Sequence, residues 1–519
     1  MFSAVPPAVT RSCGAQNLIG PCTPAGFEGT FTKRIDGVAC VRLWEEAIRK
    51  IGGEEGETMA SRVTAELFTV PVEGGHLVYA PLRQAAFLAN ARTVNLIADL
   101  AEGRAASAEH AELAEFLRRL QIVDAGEERR PIVAYAGDPK PVEVTLFLTT
   151  ACNLRCRYCY ASAGDTPTKI MPLEVARRGI DYVITNALEL GEPAIDVNYH
   201  GGGEPTVNWK TLTGSYGYAR EKTRAAGLDL RGSLATNGVM PADKLDWVIQ
   251  NLQGVSLSFD GLPAVHDAHR IHISGAGSSG DVIRTIERFD GADFPYGLRL
   301  TVTREHIASL EASIEFICSR FRPRHIQVEP SYQLGRWREA PSAETAEFIA
   351  AYRAAQKAAR RHGREIEFSG ARLGLLSNHF CGVTQDSFCL TADGNVSACY
   401  ETFLEQNEWS KVFFYGSYAE SEKGYRFDLK ILDALRHQSV ENRKFCESCF
   451  AKWSCGGDCY HKSLAVNGEG EFKGTDRCHI IRELTKDQIL ERIGGAGGVF
   501  WHEPPSERPA EARGKEFLS

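Results

Sequence analysis

The sequence predicts an α/β protein whose centre is a partial (β/α)6 barrel of parallel strands, preceded by a small strand-then-helix domain and followed by a metal-organised one. Three observations carry this. Between residues 143 and 335 six short runs, VEVTLFL, AIDVNYH, DLRGSLATNG, VSLSFDG, LRLTVTR and HIQVEP, alternate with helix-length segments such as LEVARRGIDYVITNALEL, and that alternation is the pattern of a parallel sheet. The residues of marked chemical character, ACNLRCRYCY, HGGGEP, ATNG and SFDG, come directly after the first four runs, where TIM-like barrels keep their chemistry. From 375 to 485 the periodicity fades while cysteine and glycine accumulate, as in a domain held by metal rather than by a large core.

The flanking elements follow in order. Residues 1–60 show no pattern that assigns them a role. In 61–130, HLVYAPLRQAAFLANARTVNLIADLAEG followed by AEHAELAEFLRRLQIVDAG reads as strands and then helices, and the charged, Pro-containing GEERRPIVAYAGDPKPVE reads as a linker. Residues 336–374 supply a connecting helix, and 486–519, ending HEPPSERPAEARGKEFLS, read as a flexible tail. The 519 residues are 43% hydrophobic and 24% charged with net charge −8, so nothing points to nucleic acid. No apolar run approaches the roughly 20 residues of a membrane helix, and the start lacks an export signal. The expected compartment is the cytoplasm.

Fifteen cysteines in a reducing compartment are better explained by metal than by disulfides. Cys152, Cys156 and Cys159 form one group; Cys381, Cys389, Cys399, Cys446, Cys449, Cys455, Cys459 and Cys478 form another. Cys318 lies in a helical pattern and reads as a packed thiol, while Cys13, Cys22 and Cys40 are taken as inert. A structural zinc site or an iron–sulfur cubane held by protein alone wants four ligands. Three thiolates within eight residues therefore leave one position for a substrate or cofactor, with half a zinc site or a chance cluster as the competing reading.

The C-x3-C-x2-C spacing with Tyr158 before the third cysteine, directly after a strand, resembles the signature of radical S-adenosylmethionine enzymes. The resemblance implies that Cys152, Cys156 and Cys159 hold a [4Fe–4S] cluster whose fourth iron takes the methionine end of S-adenosylmethionine, and that reductive cleavage yields a 5′-deoxyadenosyl radical. Gly202-Gly203-Glu204-Pro205 resembles the family motif that receives the cofactor's ammonium; an acid there suits a positive amine. Thr236, Asn237 and Ser258 stand where relatives contact the ribose or carboxylate, although Asn-Gly and Asp-Gly are turn formers in any case. His266, Asp267 and Arg270 match a stretch common in peptide-modifying members, and no catalytic role follows from it. His200, His269 and His272 read as local hydrogen-bonding residues.

The second group resembles the SPASM extension, which carries two auxiliary [4Fe–4S] clusters. By that pattern Cys446, Cys449, Cys455 and Cys478 belong to the distal cluster, and Cys381, Cys399 and Cys459, with Cys389 completing the count, to the proximal one. The resemblance implies a radical maturase of a ribosomally made precursor peptide, leader plus core, reduced by a flavodoxin or ferredoxin and forming a carbon–carbon (cyclophane-type) or thioether cross-link. Residues 61–130 resemble the winged-helix-like leader-recognition domains of such pathways, in which a peptide adds as a strand. An anaerobic sulfatase maturase, making formylglycine, is the alternative; it calls for an aspartate base directly after the GX4C cysteine, where this chain has Tyr400 and Glu401 as the candidates to take the proton. A cysteine-rich zinc-binding module is the alternative of another class.

Overall fold

A computed structural model describes residues 63–501 apart from 125, 129 and 339–343, together with the backbone of three two-residue strands, β1 (Arg34–Ile35), β2 (Val38–Ala39) and β3 (Val41–Arg42). Cys13, Cys22, Cys40 and residues 502–519 lie outside the described residues.

Six strands, β7 (Glu143–Phe147), β8 (Ala194–His200), β9 (Asp229–Thr236), β10 (Gly254–Ser258), β11 (Tyr296–Val302) and β12 (His325–Pro330), pair in sequence order, each parallel to the next. Parallel neighbours need a crossover, and a helix supplies it. The helices α3 (Leu173–Leu190), α4 (Trp209–Ala226), α5 (Ala242–Asn251), α6 (Pro263–His269), α7 (Ser279–Gly291) and α8 (Leu310–Arg320) make these connections.

The strands alternate in burial, and the alternation shapes the site. Along β11, Tyr296, Leu298, Leu300 and Val302 are buried, whereas Gly297, Arg299 and Thr301 are partly exposed. The apolar set joins the main core. The opposite face carries Asn198, His200, Ser258, Arg299, Gln327 and Glu329, all partly exposed. A closed eight-stranded barrel fills its interior with side chains; six strands instead leave a polar lumen.

Beyond the barrel α9 (Thr345–Arg361) leads to β13 (Cys389–Leu390), which adds parallel to β7. The sheet then continues antiparallel through β14 (Asn395–Ser397), β15 (Phe414–Ala419) and β16 (Gly424–Phe427). The cysteine-rich segment is therefore tied covalently and by strand pairing to the first barrel strand.

At the N-terminal side β4 (Phe68–Val72), β5 (Gly75–Ala80) and β6 (Ala85–Ala89) form an antiparallel meander. Two helices follow, α1 (Ala91–Ala101), whose first turn is capped by the Asn90 side chain accepting from Thr93 N, and α2 (Ala111–Arg119). They share a core of their own that includes Val78, Phe87, Leu96, Ile97, Leu117 and Ile122. This unit is fastened to the cysteine-rich segment by a buried ion pair, Lys452 Nζ to Glu66 at 2.7 Å, with Arg130 more distant at 3.9 Å. Lys452→Met would leave the Glu66 carboxylate, 1% exposed, without its principal cation, and breaking one partner of a buried pair costs about 3–5 kcal/mol. A lowered first thermal transition in Lys452→Met, partly restored in Glu66→Gln/Lys452→Met, is the expected result.

One reading of the sequence is corrected. Residues 486–501 are not the start of a flexible tail: α10 (Asp476–Gly495) runs through them, and β17 (Val499–Trp501) then joins the N-terminal sheet beside β6. The reason is visible in RCHIIRELTKDQILERI, where Ile481, Leu484, Thr485, Ile489 and Ile493 recur at helical spacing and are buried.

Candidate active site

The chain leaves β7 into the loop that carries the first three cysteines, and that loop is held from several sides. Arg155 N donates to Ile271 O at 2.6 Å and Arg157 N to His269 O at 2.9 Å. The Arg336 guanidinium donates to Cys156 O at 2.6 Å and Ala163 O at 2.9 Å. Tyr158 hydrogen-bonds through its hydroxyl to Asp260, which also accepts from Arg270 Nε at 3.0 Å and Thr301 N at 3.1 Å, and the Arg270 guanidinium lies 5.2 Å from the Tyr158 ring centroid. A rigid loop presents the three thiols to one side.

Burial pushes the Cys152 thiol up to about 12, with the Glu204 carboxylate adding to the effect, and the Cys156 thiol up to about 11. The three lie near enough to disfavour one another's ionisation. Thiolates gathered in this way require a positive partner. A single zinc ion is a poor fit: with Zn–S near 2.3 Å its sulfurs stand about 3.8 Å apart, whereas among the described residues only His269, Glu305 and His306 bring three ligand atoms within 4.8 Å of one another. Wider spacing suits a polynuclear cluster.

The second strand end meets this loop closely. Glu204 N donates to Ala151 O at 2.9 Å, and a Cβ on Gly203 would stand 2.1 Å from that oxygen, so only glycine permits the approach. At Gly202 a Cβ would fall 2.2 Å from the Phe403 ring. The buried Glu204 carboxylate accepts through Oε1 from Thr206 Oγ1 and Thr236 Oγ1, each at 2.8 Å, and through Oε2 from Asn237 N at 2.8 Å. Asn237 in turn donates to Asn153 Oδ1 at 2.8 Å and lies 3.7 Å from Cys152 Sγ. Glu204, Thr236, Asn237 and Cys152 thus form one network across the first three strand ends, and Oε2 keeps a free lone pair for a further donor. Ser258 is outside this network, on the lumen face opposite Arg299 in the strand register.

The remaining cysteines separate into two sets. Cys446, Cys449, Cys455 and Cys478 line one cavity of about 320 Å³ together with Phe445 and Phe472. Burial raises all four thiols. Cys381, Cys399 and Cys459 act on one another, and Cys389, on β13 with Ser387 Oγ 3.4 Å from its sulfur, is near enough to feel Cys381. Cys318 is buried in α8, as a packed thiol.

Tyr400 stacks on His200 with ring centroids 4.9 Å apart and meets Phe147 edge-on at 6.3 Å; burial keeps its phenol protonated. Glu401 pairs with His461 Nδ1 at 2.8 Å and Lys462 Nζ at 3.2 Å. Burial opposes its ionisation, but Lys462 and His461 outweigh burial and hold the carboxyl well below the usual range. His200 is pushed down to about 4 by burial and then by Arg299, so it faces the lumen neutral.

Sequence reading missed the part played by Asp260 and Arg270 in holding the cysteine loop, and the lumen position of Arg299. The Asp of SFDG was visible only as a turn former, and an arginine in a strand gives no sign of which way it faces.

A sequence model of the radical SAM superfamily matches residues 146–317. The chain carries a radical SAM domain. That family implies a [4Fe–4S] cluster and S-adenosylmethionine, and the thiol triad with its Glu204–Asn237 network fits both. Among relatives, the chain is 30% identical over 182 residues to the mycofactocin maturase MftC of Mycobacterium ulcerans, covering 34% of this chain and 44% of that protein. It is 25% identical over 214 residues to a serine-type anaerobic sulfatase-maturating enzyme of Klebsiella aerogenes, covering 41% and 52%. The chain spans about half the length of the curated relatives it matches. In structure it is similar to native anSMEcpe with bound AdoMet and Cp18Cys peptide, with TM-score 0.55 and 18% identity over 69% of this chain and 99% of that one; this likeness extends the shared fold beyond the radical SAM domain. Among the described residues no helix is long and apolar enough to cross a membrane.

Proposed function

We propose that this radical SAM protein is a maturase that modifies a ribosomally made precursor peptide, joining two of its residues by a carbon–carbon or thioether bond. One observation carries the reading: the strand-end triad and the second cysteine group face each other across a single layer of side chains. Cys159 and Tyr160 pack with Phe147, Cys389, Tyr400 and Phe403 in one cluster, and the Tyr160 hydroxyl feels both Cys159 and Glu401. A substrate in the polar lumen would sit between two redox centres.

In this reading the distal set, Cys446, Cys449, Cys455 and Cys478, and the proximal set, Cys381, Cys389, Cys399 and Cys459, each hold an auxiliary [4Fe–4S] cluster, so that the protein carries three clusters. When bound, the first cluster and S-adenosylmethionine supply a hydrogen-abstracting radical. Joining X–H and Y–H into X–Y releases two protons and two electrons; one of each leaves as the abstracted hydrogen atom, the second proton passes to a base and the second electron to an auxiliary cluster. The lumen residues do the rest. Glu401, ionised beside Lys462, is the nearest carboxylate to the proximal set and the candidate proton acceptor, while neutral His200 and protonated Tyr400 form a wall that excludes water. A flavodoxin or ferredoxin would deliver the electrons.

Anaerobic purification tests this directly. The expected preparation is brown, contains about a dozen irons, and forms 5′-deoxyadenosine on reduction; a colourless, zinc-loaded protein would refute it in favour of a binding module. Product chemistry separates the maturase from formylglycine formation, because an aldehyde product captures a hydrazine label and a cross-link does not.

Glu204→Gln should keep its iron while S-adenosylmethionine binds at least ten-fold more weakly, since a charge-assisted hydrogen bond to the cofactor's ammonium is worth about 1.5–3 kcal/mol. Anaerobic titration calorimetry on the reconstituted variant measures it, and an unchanged Kd would assign the ammonium to another group.

A further inference from the structure

The N-terminal sheet runs β17–β6–β5–β4–β3, so the β6 edge is closed by the chain's own C-terminal strand. Val499, Phe500 and Trp501 pair antiparallel with Phe87, Ala86 and Ala85. Two features set this strand apart from the others. It has three residues, against five or six in β4, β5 and β6. It also hangs from α10 by Gly494-Gly495-Ala496-Gly497-Gly498, where a Cβ on any of the four glycines would meet nothing within 4 Å. No close approach explains the glycines there, and such a run behaves as a flexible tether.

The anchoring is slight. Phe500 sits 5.2 Å from the Arg492 guanidinium, and Val499 packs against the small N-terminal core. Beneath it lies an edge with the means to hold another strand: released from β17, β6 would present unpaired N–H and C=O groups, and Leu88 beside them is already 50% exposed. Such an edge is a template for an incoming extended peptide.

We propose that β17 is an exchangeable, self-inhibiting strand: it occupies the β6 edge until an extended segment of the substrate peptide displaces it. The identity of that occupant rests on the maturase reading above; the exchange does not. A tethered competitor acts at millimolar effective concentration, so an incoming segment binds with an affinity reduced by the fraction of molecules whose edge is open. The N-terminal unit would thereby ignore weakly matching peptides.

Two measurements test it on the holoprotein. In hydrogen exchange of the full chain, amides of Ala85–Ala89 should exchange at least a hundred-fold faster than those of Leu77–Tyr79, because they open with β17 and not with the domain; equal protection overturns the proposal. A chain ending at Gly498 is then probed with a labelled synthetic peptide of residues 497–503, GGVFWHE. The expected result is binding at least ten-fold tighter than to the full chain, with iron content and 5′-deoxyadenosine formation unchanged. Equal binding to both chains, or loss of iron on truncation, makes β17 an ordinary structural strand. Neither measurement involves peptide modification, so failure of the maturase reading leaves both outcomes interpretable.

Discussion

Cys156→Ala is expected to abolish 5′-deoxyadenosine formation and to remove about a third of the iron, one of three clusters. The substitution takes away a sulfur and little else. The loop backbone stays fastened through Arg336 to Cys156 O at 2.6 Å and through Arg157 N to His269 O at 2.9 Å, so the fold should survive. The cavity lined by Cys446, Cys449, Cys455 and Cys478 belongs to a different part of the chain and should keep its metal. Iron analysis and chromatography of the reaction mixture on the same preparation give both numbers. Undiminished cleavage would show that the triad is not where the electron enters.

Asp260→Ala should be nearly as damaging without touching any cysteine. Asp260 is 1% exposed and pairs with Arg270, 9% exposed, at 3.0 Å, while the same carboxylate receives the Tyr158 hydroxyl and Thr301 N. Arg270 and the other partners outweigh burial and hold this carboxyl below its usual range, so the charge is present at neutral pH. Its removal strands a buried guanidinium, at a cost of about 3–5 kcal/mol, and unpins Tyr158 between Cys156 and Cys159. For a unit of this size each kcal/mol moves the melting temperature by about 2–4 °C, so the first thermal transition should fall by roughly 6–20 °C. Loss of iron from the strand-end site is expected with it. Asp260→Asn, which keeps the shape and loses the charge, should fall between. An Asp260→Ala protein with native melting temperature and full iron would show that the loop is held by its backbone bonds alone.

Much of the barrel was legible because its signal is local. The run LRLTVTR announces a strand through alternation, and β11 shows that alternation as buried Leu298, Leu300 and Val302. The α10–β17 segment was misread for the opposite reason. Nothing in GGVFW says that three residues will find a partner at Ala85–Phe87, since the pairing spans almost the whole chain and is decided by where α10 ends.

The spacing C-x3-C-x2-C determined by itself that Cys152, Cys156 and Cys159 share one site, because a few residues of chain reach only about 3.5 Å each. It likewise put Cys446, Cys449 and Cys455 together. Only the tertiary structure decided what surrounds those thiols: Cys478 closing the distal set, Glu204 bound to Thr236 and Asn237, Asp260 beneath Tyr158, and Arg299 turned into the lumen. These neighbours come from different strands and helices, and their meeting is set by strand register and core packing, which no local pattern encodes.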